Sequence, residues 1–178
     1  GWALRRNTTG GNNTASGYYA GNCNTTGHYN VALGHYANRE NCVAGCTTAV
    51  GRWALCHNKA TGLTGIGYGA LFENSSGSGS VAVGMCALHD NTTGCHNTAI
   101  GLCGLRANTT ACFNTTVGSF SLTNNTTGKS NTAVGYVALN ANTTSCRNTS
   151  IGAFSTVGNT TGCRNTASGY NALNVNTT

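Results

Sequence analysis

The chain has 178 residues, a formal charge of +6 and 7% charged residues, against about a quarter in an ordinary soluble domain. That balance, with no Pro at all, excludes charge-driven disorder. No stretch approaches the roughly 20 apolar residues of a membrane span, and the bases form no stripe that could track phosphates, so neither a membrane span nor a nucleic-acid partner is expected.

One register organises the rest. Glycine recurs at Gly17, Gly34, Gly51, Gly67, Gly84, Gly101, Gly118, Gly135, Gly152 and Gly169, in steps of 17 residues with a single step of 16 after Gly51. Seven positions after each glycine stands an asparagine: Asn24, Asn41, Asn58, Asn74, Asn91, Asn108, Asn125, Asn142, Asn159 and Asn176. Self-similarity at such a period predicts one small unit stacked many times.

In chain order, each unit opens on a strand. Three places before the glycine stands Thr or Val, as at Thr14, Val31, Thr98 and Thr132, and directly before it stands mostly Val, Ile or Leu, as at Leu33, Val50, Ile100 and Val134. A small residue separates the two columns, and this period-two alternation marks a half-buried strand. The glycine then ends the strand, where a bend or a close backbone approach needs a residue without Cβ. An Ala-Leu segment follows, as at Ala54-Leu55, Ala87-Leu88 and Ala138-Leu139, and reads as a short second strand. Asn-Thr-Thr-Gly closes the unit as a turn. The 16-residue unit loses its residue near Lys59 to Leu63, within that turn.

The fold class expected is therefore all-β: a stacked β-solenoid, or β-roll, of about ten 17-residue coils with two short parallel strands per coil. At roughly 4.7–4.9 Å per coil, ten coils make a rod about 48 Å long. In-register stacking turns the asparagine column into a ladder in which each amide donates to the next carbonyl. Only about three sizeable apolar side chains per coil are left to point inward, a thin interior that favours association of several chains, most simply three.

Asn131-Thr132-Ala133-Val134-Gly135-Tyr136, with Ala138-Leu139 and Asn142-Thr143-Thr144, resembles the head repeats of trimeric autotransporter adhesins. It is closer still to the related 17-residue arrays of phage tail-fibre and bacterial surface proteins. The similarity is one of architecture and covers all ten units, with the poorest match from Glu40 to Gly62. It implies a β-roll, three intertwined chains, and a rigid shaft or adhesive head outside the cell or on a virion.

Six of the ten cysteines fall one repeat apart: Cys86 with Cys103, Cys95 with Cys112, and Cys146 with Cys163. Stacked on adjacent coils, their Cα atoms would lie about 4.8 Å apart, within disulfide range. Disulfides, buried thiols acting as small hydrophobes, and pairing between chains all fit that spacing. No set of Cys and His has structural-zinc spacing, and the five histidines fall mostly at bends that should face solvent, so no metal or cofactor is expected. Glu40, Glu73 and Asp90 lie in three different units and supply no carboxylate pair, and neither Ser119 nor Ser130 has His or an acid in its column on an adjacent coil. An enzyme is not expected. The many Asn-x-Thr sequons arise from the repeat itself.

The function expected is that of a structural or adhesive extracellular fibre segment, on a cell surface or virion appendage. Its partners would be further copies of the chain, end to end and side by side, and a host-surface or glycan receptor. The opening Gly1 and the close at Asn176-Thr177-Thr178 read as the bounds of a segment of a longer fibre or of a mature product. An ice-binding solenoid is the alternative, with Thr ranks such as Thr92-Thr93 and Thr109-Thr110 ordering water, although adjacent strand residues point to opposite sides. A glycan surface built from Tyr18, Tyr68, Tyr136 and Tyr170 is a third reading; the same column could instead line a seam between chains.

Overall fold

The structure, a computed structural model, describes residues 1–177; the last residue of the closing Asn-Thr-Thr lies outside the described residues. Ten three-residue strands appear in chain order: β1 (Thr14–Ser16), β2 (Val31–Leu33), β3 (Thr48–Val50), β4 (Thr64–Ile66), β5 (Val81–Val83), β6 (Thr98–Ile100), β7 (Thr115–Val117), β8 (Thr132–Val134), β9 (Thr149–Ile151) and β10 (Thr166–Ser168). Each pairs in parallel with the next, giving one ten-stranded sheet in sequence order. The chain is an all-β solenoid.

Register follows the repeat. Thr98, Ala99 and Ile100 stand opposite Thr115, Thr116 and Val117, and the short unit keeps step, with Thr48 opposite Thr64. The deletion falls inside the turn, as the sequence predicts. Asn58 Nδ2 donates to the Ala60 carbonyl two residues on, whereas Asn74 Nδ2 reaches Gly77 three residues on. Removing one turn residue thus leaves the side-chain clasp of the turn in place.

Two expectations need correction. Each coil has one strand, not two. The Ala-Leu segment is a run of turns in which Leu55, Leu71, Leu88, Leu105, Leu122 and Leu139 take φ of 50–53°, in the left-handed region. Coils still bond to one another through these turns: Leu55 N–H donates to the Ala70 carbonyl at 2.9 Å, and Leu88 N–H to Gly104 at 3.0 Å. The backbone is satisfied without the extended geometry of a strand.

The second correction concerns which strand residues face inward. Burial of Ala49, Ala82, Ala99 and Ala133 puts the small middle residue of the strand inside. A β-carbon on Gly65, in the same column, would lie 3.2 Å from Leu55 Cγ, so this column packs against the leucines. The β-branched columns on either side must point out, because successive strand side chains alternate. In the six coils from Leu55 to Leu139 the core is therefore one Leu and two small residues, with Gly21, Asn38 and Thr156 in the leucine column elsewhere, and it is thinner than expected.

That economy has a cost. Twenty-seven of the described residues other than glycine have φ between 47° and 64°, a conformation that costs an L-residue roughly 1–2 kcal/mol. Burying a leucine returns about 1.5–3 kcal/mol, enough to offset the strain at its own position. The strain elsewhere in the coil must be met by hydrogen bonds and by the packed alanines.

Candidate functional site

The most regular surface is the outer side of the sheet. Its two columns are the Thr or Val three places before each glycine and the Val, Ile or Leu directly before it. Ile100 is 41% exposed and Ile151 45%. Leu33, Ile66, Val81 and Val117 are likewise among the exposed large hydrophobics. Neither column carries a charged side chain in any of the ten strands. An apolar and hydroxyl strip, exposed or half-exposed at every strand, thus runs the length of the rod, and no described element is packed across it.

The glycines fix its edge. From Gly17 to Gly152, each of the nine that has a coil beyond it in the register takes φ between 126° and 139°, and a β-carbon there would come within 2.3–2.7 Å of the next coil's carbonyl oxygen. The backbones touch at this bend, so the register needs glycine for both reasons. Just past the bend, Tyr18, Tyr68, Tyr136 and Tyr170 are exposed. Tyr136 meets Phe154 edge-on at 5.3 Å, and Phe154 meets Tyr170 at 6.0 Å.

Behind the strip, the asparagine column forms the expected ladder over most of its length. Asn91 donates to Asn74 at 2.8 Å, Asn108 to Asn91 at 2.7 Å, Asn125 to Asn108 at 3.1 Å and Asn142 to Asn125 at 2.8 Å. Asn159 and Asn176 continue it at 3.4 Å each. At the other end Asn24 donates to Asn7, and Asn74 to Asn58. The rungs on either side of Asn41 are missing: its side chain clasps its own turn at Ala44, and Asn24 Oδ1 has no partner. This is the stretch where the repeat is poorest.

A second asparagine ladder was not singled out in the sequence. In the column just before each strand, Asn97 Oδ1 accepts from the Asn114 N–H, Asn114 Oδ1 from Asn131 N–H and Asn131 Oδ1 from Asn148 N–H, at 2.9–3.0 Å. The same side chains donate to carbonyls of the next turn, as Asn97 does to Ala111 and Asn114 to Gly128. The signal was present, since Asn13, Asn30, Asn97, Asn114, Asn131, Asn148 and Asn165 share this position.

The Thr-Thr turns also bond along the rod. Thr92 Oγ1 donates to the Thr109 carbonyl at 2.9 Å and Thr109 Oγ1 to Thr126 at 3.2 Å. The first Thr of each pair is therefore engaged, and only the second is left to form a rank toward water.

All ten cysteines are free thiols. The Cys95, Cys112, Cys146 and Cys163 column has a use that the spacing alone did not reveal. Sγ of Cys112 accepts the Cys95 N–H at 3.0 Å, and Sγ of Cys163 accepts the Cys146 N–H at 3.1 Å. His28 Nδ1 does the same for Gly11 N–H at 2.9 Å in this column. Hydrogen bonding from Cys112, then burial, raises the Cys95 thiol, and burial followed by Cys103 raises Cys86. Cys56 is pushed up to about 11, mainly by burial and then by Glu40.

Three histidines expected to face solvent, His35, His57 and His89, are instead half-buried. His57 Nδ1 lies 2.8 Å from Glu40 one coil back, and His89 Nδ1 2.5 Å from Asp90. No cluster of three or more potential metal ligands occurs among the described residues, and no described helix is long and apolar enough to cross a membrane.

No protein-family model, curated protein or solved structure matches this chain.

Proposed function

We propose that the chain is a structural or adhesive segment of an extracellular fibre, on a cell surface or a virion, in which copies associate through the outer side of the sheet. One observation carries this reading: the uncharged Thr and Val/Ile strip that runs along all ten strands, exposed or half-exposed throughout. Contiguous apolar surface of this kind marks an interaction site. A second copy of the same chain is the natural occupant, because a parallel neighbour repeats every column at the same coil spacing. Three copies about a common axis would bury the strip on each, as the resemblance to autotransporter heads and tail-fibre arrays implies. The open edges of β1 and β10 would serve end-to-end contacts. Mass measurement of the native assembly tests this: three chains are expected, and a single chain at micromolar concentration overturns it.

One observation favours a second reading, an ice-binding solenoid. The hydroxyl rank and the apolar rank of the strand both face outward, unlike the paired threonines of the turns. Thermal hysteresis by the soluble protein would support it, and freezing at the ordinary melting point would remove it.

A further inference from the structure

On the side of the coils away from the strands, the first turns of the rod enclose an open cleft of about 450 Å³. Its lining includes Arg5, Arg6, Tyr19, Arg39, Glu40 and Lys59. The repeat explains why a cleft forms there. Arg5, Asn22 and Arg39 occupy one column on successive coils, and Arg6, Cys23 and Glu40 the next. Long side chains above and below therefore flank a coil bearing only Asn22 and Cys23. The backbones of Arg5 and Arg39 stand two coils apart, about 9.5 Å at ordinary strand spacing.

The guanidinium groups are already oriented. Arg5 lies 4.1 Å over the Trp2 ring and Arg39 4.9 Å over Tyr36. Trp2, Tyr19 and Tyr36 lean on one another with centroids 5.4 Å apart at each step. Stacking on a ring uses the face of a guanidinium and leaves its N–H edge for an oxyanion. Asn22 is fixed as well, its amide donating to the Trp2 carbonyl at 2.9 Å.

The charge is unbalanced. Glu40 is the one acid lining the cleft, and it is shared by His57 at 2.8 Å and Arg39 at 3.9 Å. Arg5, Arg6 and Lys59 have no carboxylate within ion-pair reach among the described residues. Although the bases are scattered along the sequence, stacking gathers four of them around one opening. The volume suits a small organic ligand rather than a bare inorganic ion.

We propose that this cleft binds an acidic saccharide. The carboxylate or sulfate of one sugar unit would sit between the edges of Arg5 and Arg39. Arg6 and Lys59 would add charge, and Tyr19, its ring held between Trp2 and Tyr36, would offer its hydroxyl to the sugar. The site lies away from the strand face and within one chain, so it stands or falls independently of the association proposed above.

Titration calorimetry on the native protein tests it with four probes: sialyllactose, a galacturonate hexamer, a heparin-derived hexasaccharide, and uncharged maltohexaose. The expected result is saturable binding of at least one acidic probe, one site per chain, and none of maltohexaose. Binding of sialyllactose or of the galacturonate hexamer identifies carboxylate as the recognised group, and binding of the heparin hexasaccharide alone, which carries carboxylates and sulfates together, identifies sulfate. The double variant Arg5→Gln/Arg39→Gln should weaken that binding at least tenfold, while Arg147→Gln/Arg164→Gln, with the same loss of charge at distant coils, should leave it within twofold. Thermal melts of both variants verify the fold. Failure of all three acidic probes to bind, binding of maltohexaose as tight as theirs, or equal weakening by the two double variants overturns the proposal.

Discussion

Asn108 donates its side-chain amide to Asn91 Oδ1 at 2.7 Å, from one coil to the coil before it. The same amide reaches the Ala111 carbonyl at 3.1 Å, and Asn108 Oδ1 accepts from Asn125 at 3.1 Å. One buried side chain thus clasps its own turn and joins three coils. Asn41 clasps its turn in the same way but joins no neighbour through its side chain.

Asn108→Ala should therefore cost more than Asn41→Ala. Leaving buried partners unsatisfied costs about 1–3 kcal/mol each, so with three partners a loss of roughly 3 kcal/mol is expected for Asn108→Ala, and with two, about 2 kcal/mol for Asn41→Ala. Urea unfolding of the two variants measures the difference, and equal losses would remove the ladder as a stabilising device.

Glycine at the bend separates strain from collision. Gly101→Ala would place a β-carbon 2.5 Å from the Gly118 carbonyl oxygen, at φ +131°. At Gly169, φ is +126° but nothing lies within 4 Å. Backbone strain alone costs on the order of 1–3 kcal/mol, which is what Gly169→Ala should lose. Gly101→Ala should lose more, because the obstacle is backbone of the next coil and cannot rotate away. Melting temperatures of the two variants compare the effects directly.

Arg147 and Arg164 are exposed and hold φ of 60° and 63°. Asparagine tolerates this conformation better than arginine does. Arg147→Asn/Arg164→Asn should therefore stabilise the protein by about 1 kcal/mol in total, read as a higher urea midpoint with an unchanged slope.

Substitutions on the outer side of the sheet should act on assembly alone. Ile100 and Val117 are 41% and 39% exposed, so lysine at either position meets no packed core. Ile100→Lys/Val117→Lys is expected to reduce the native mass to a single chain while leaving the circular dichroism of the coil unchanged. A three-chain mass in that variant would place the association elsewhere.

Alkaline pH should loosen the rod partly through Cys56. Burial holds its thiol at about 11, against 9.0 for an ordinary thiol. The unfolded chain thus loses its proton first as the pH rises. Stability is full below about 9 and falls by up to about 2–3 kcal/mol toward 11. Cys56→Ala should show a shallower decline over that window in chemical denaturation.

The repeat, the parallel stacking, the asparagine ladder and the place of the missing residue were all legible in the sequence. Each follows from periodicity and from the chemistry of a side chain set above its own copy. The second ladder was equally visible as a column of Asn13, Asn30 and Asn97, but a turn preference explained those residues just as well until their N–H partners were known. Its purpose became readable only with the neighbouring coil in place.

The sequence by itself determined that this protein is a stack of near-identical coils, because a glycine followed seven residues later by an asparagine, repeated every 16 or 17 residues, admits little else. Which strand residues face inward was decided by the tertiary structure. Alternation gives two opposite faces and does not say which is inside; the leucine, turned inward by a left-handed backbone, selected the alanines. The same stacking drew Arg5, Arg6, Arg39 and Lys59 to one opening. Proximity across coils is set by the length of the repeat, and no local pattern in the chain displays it.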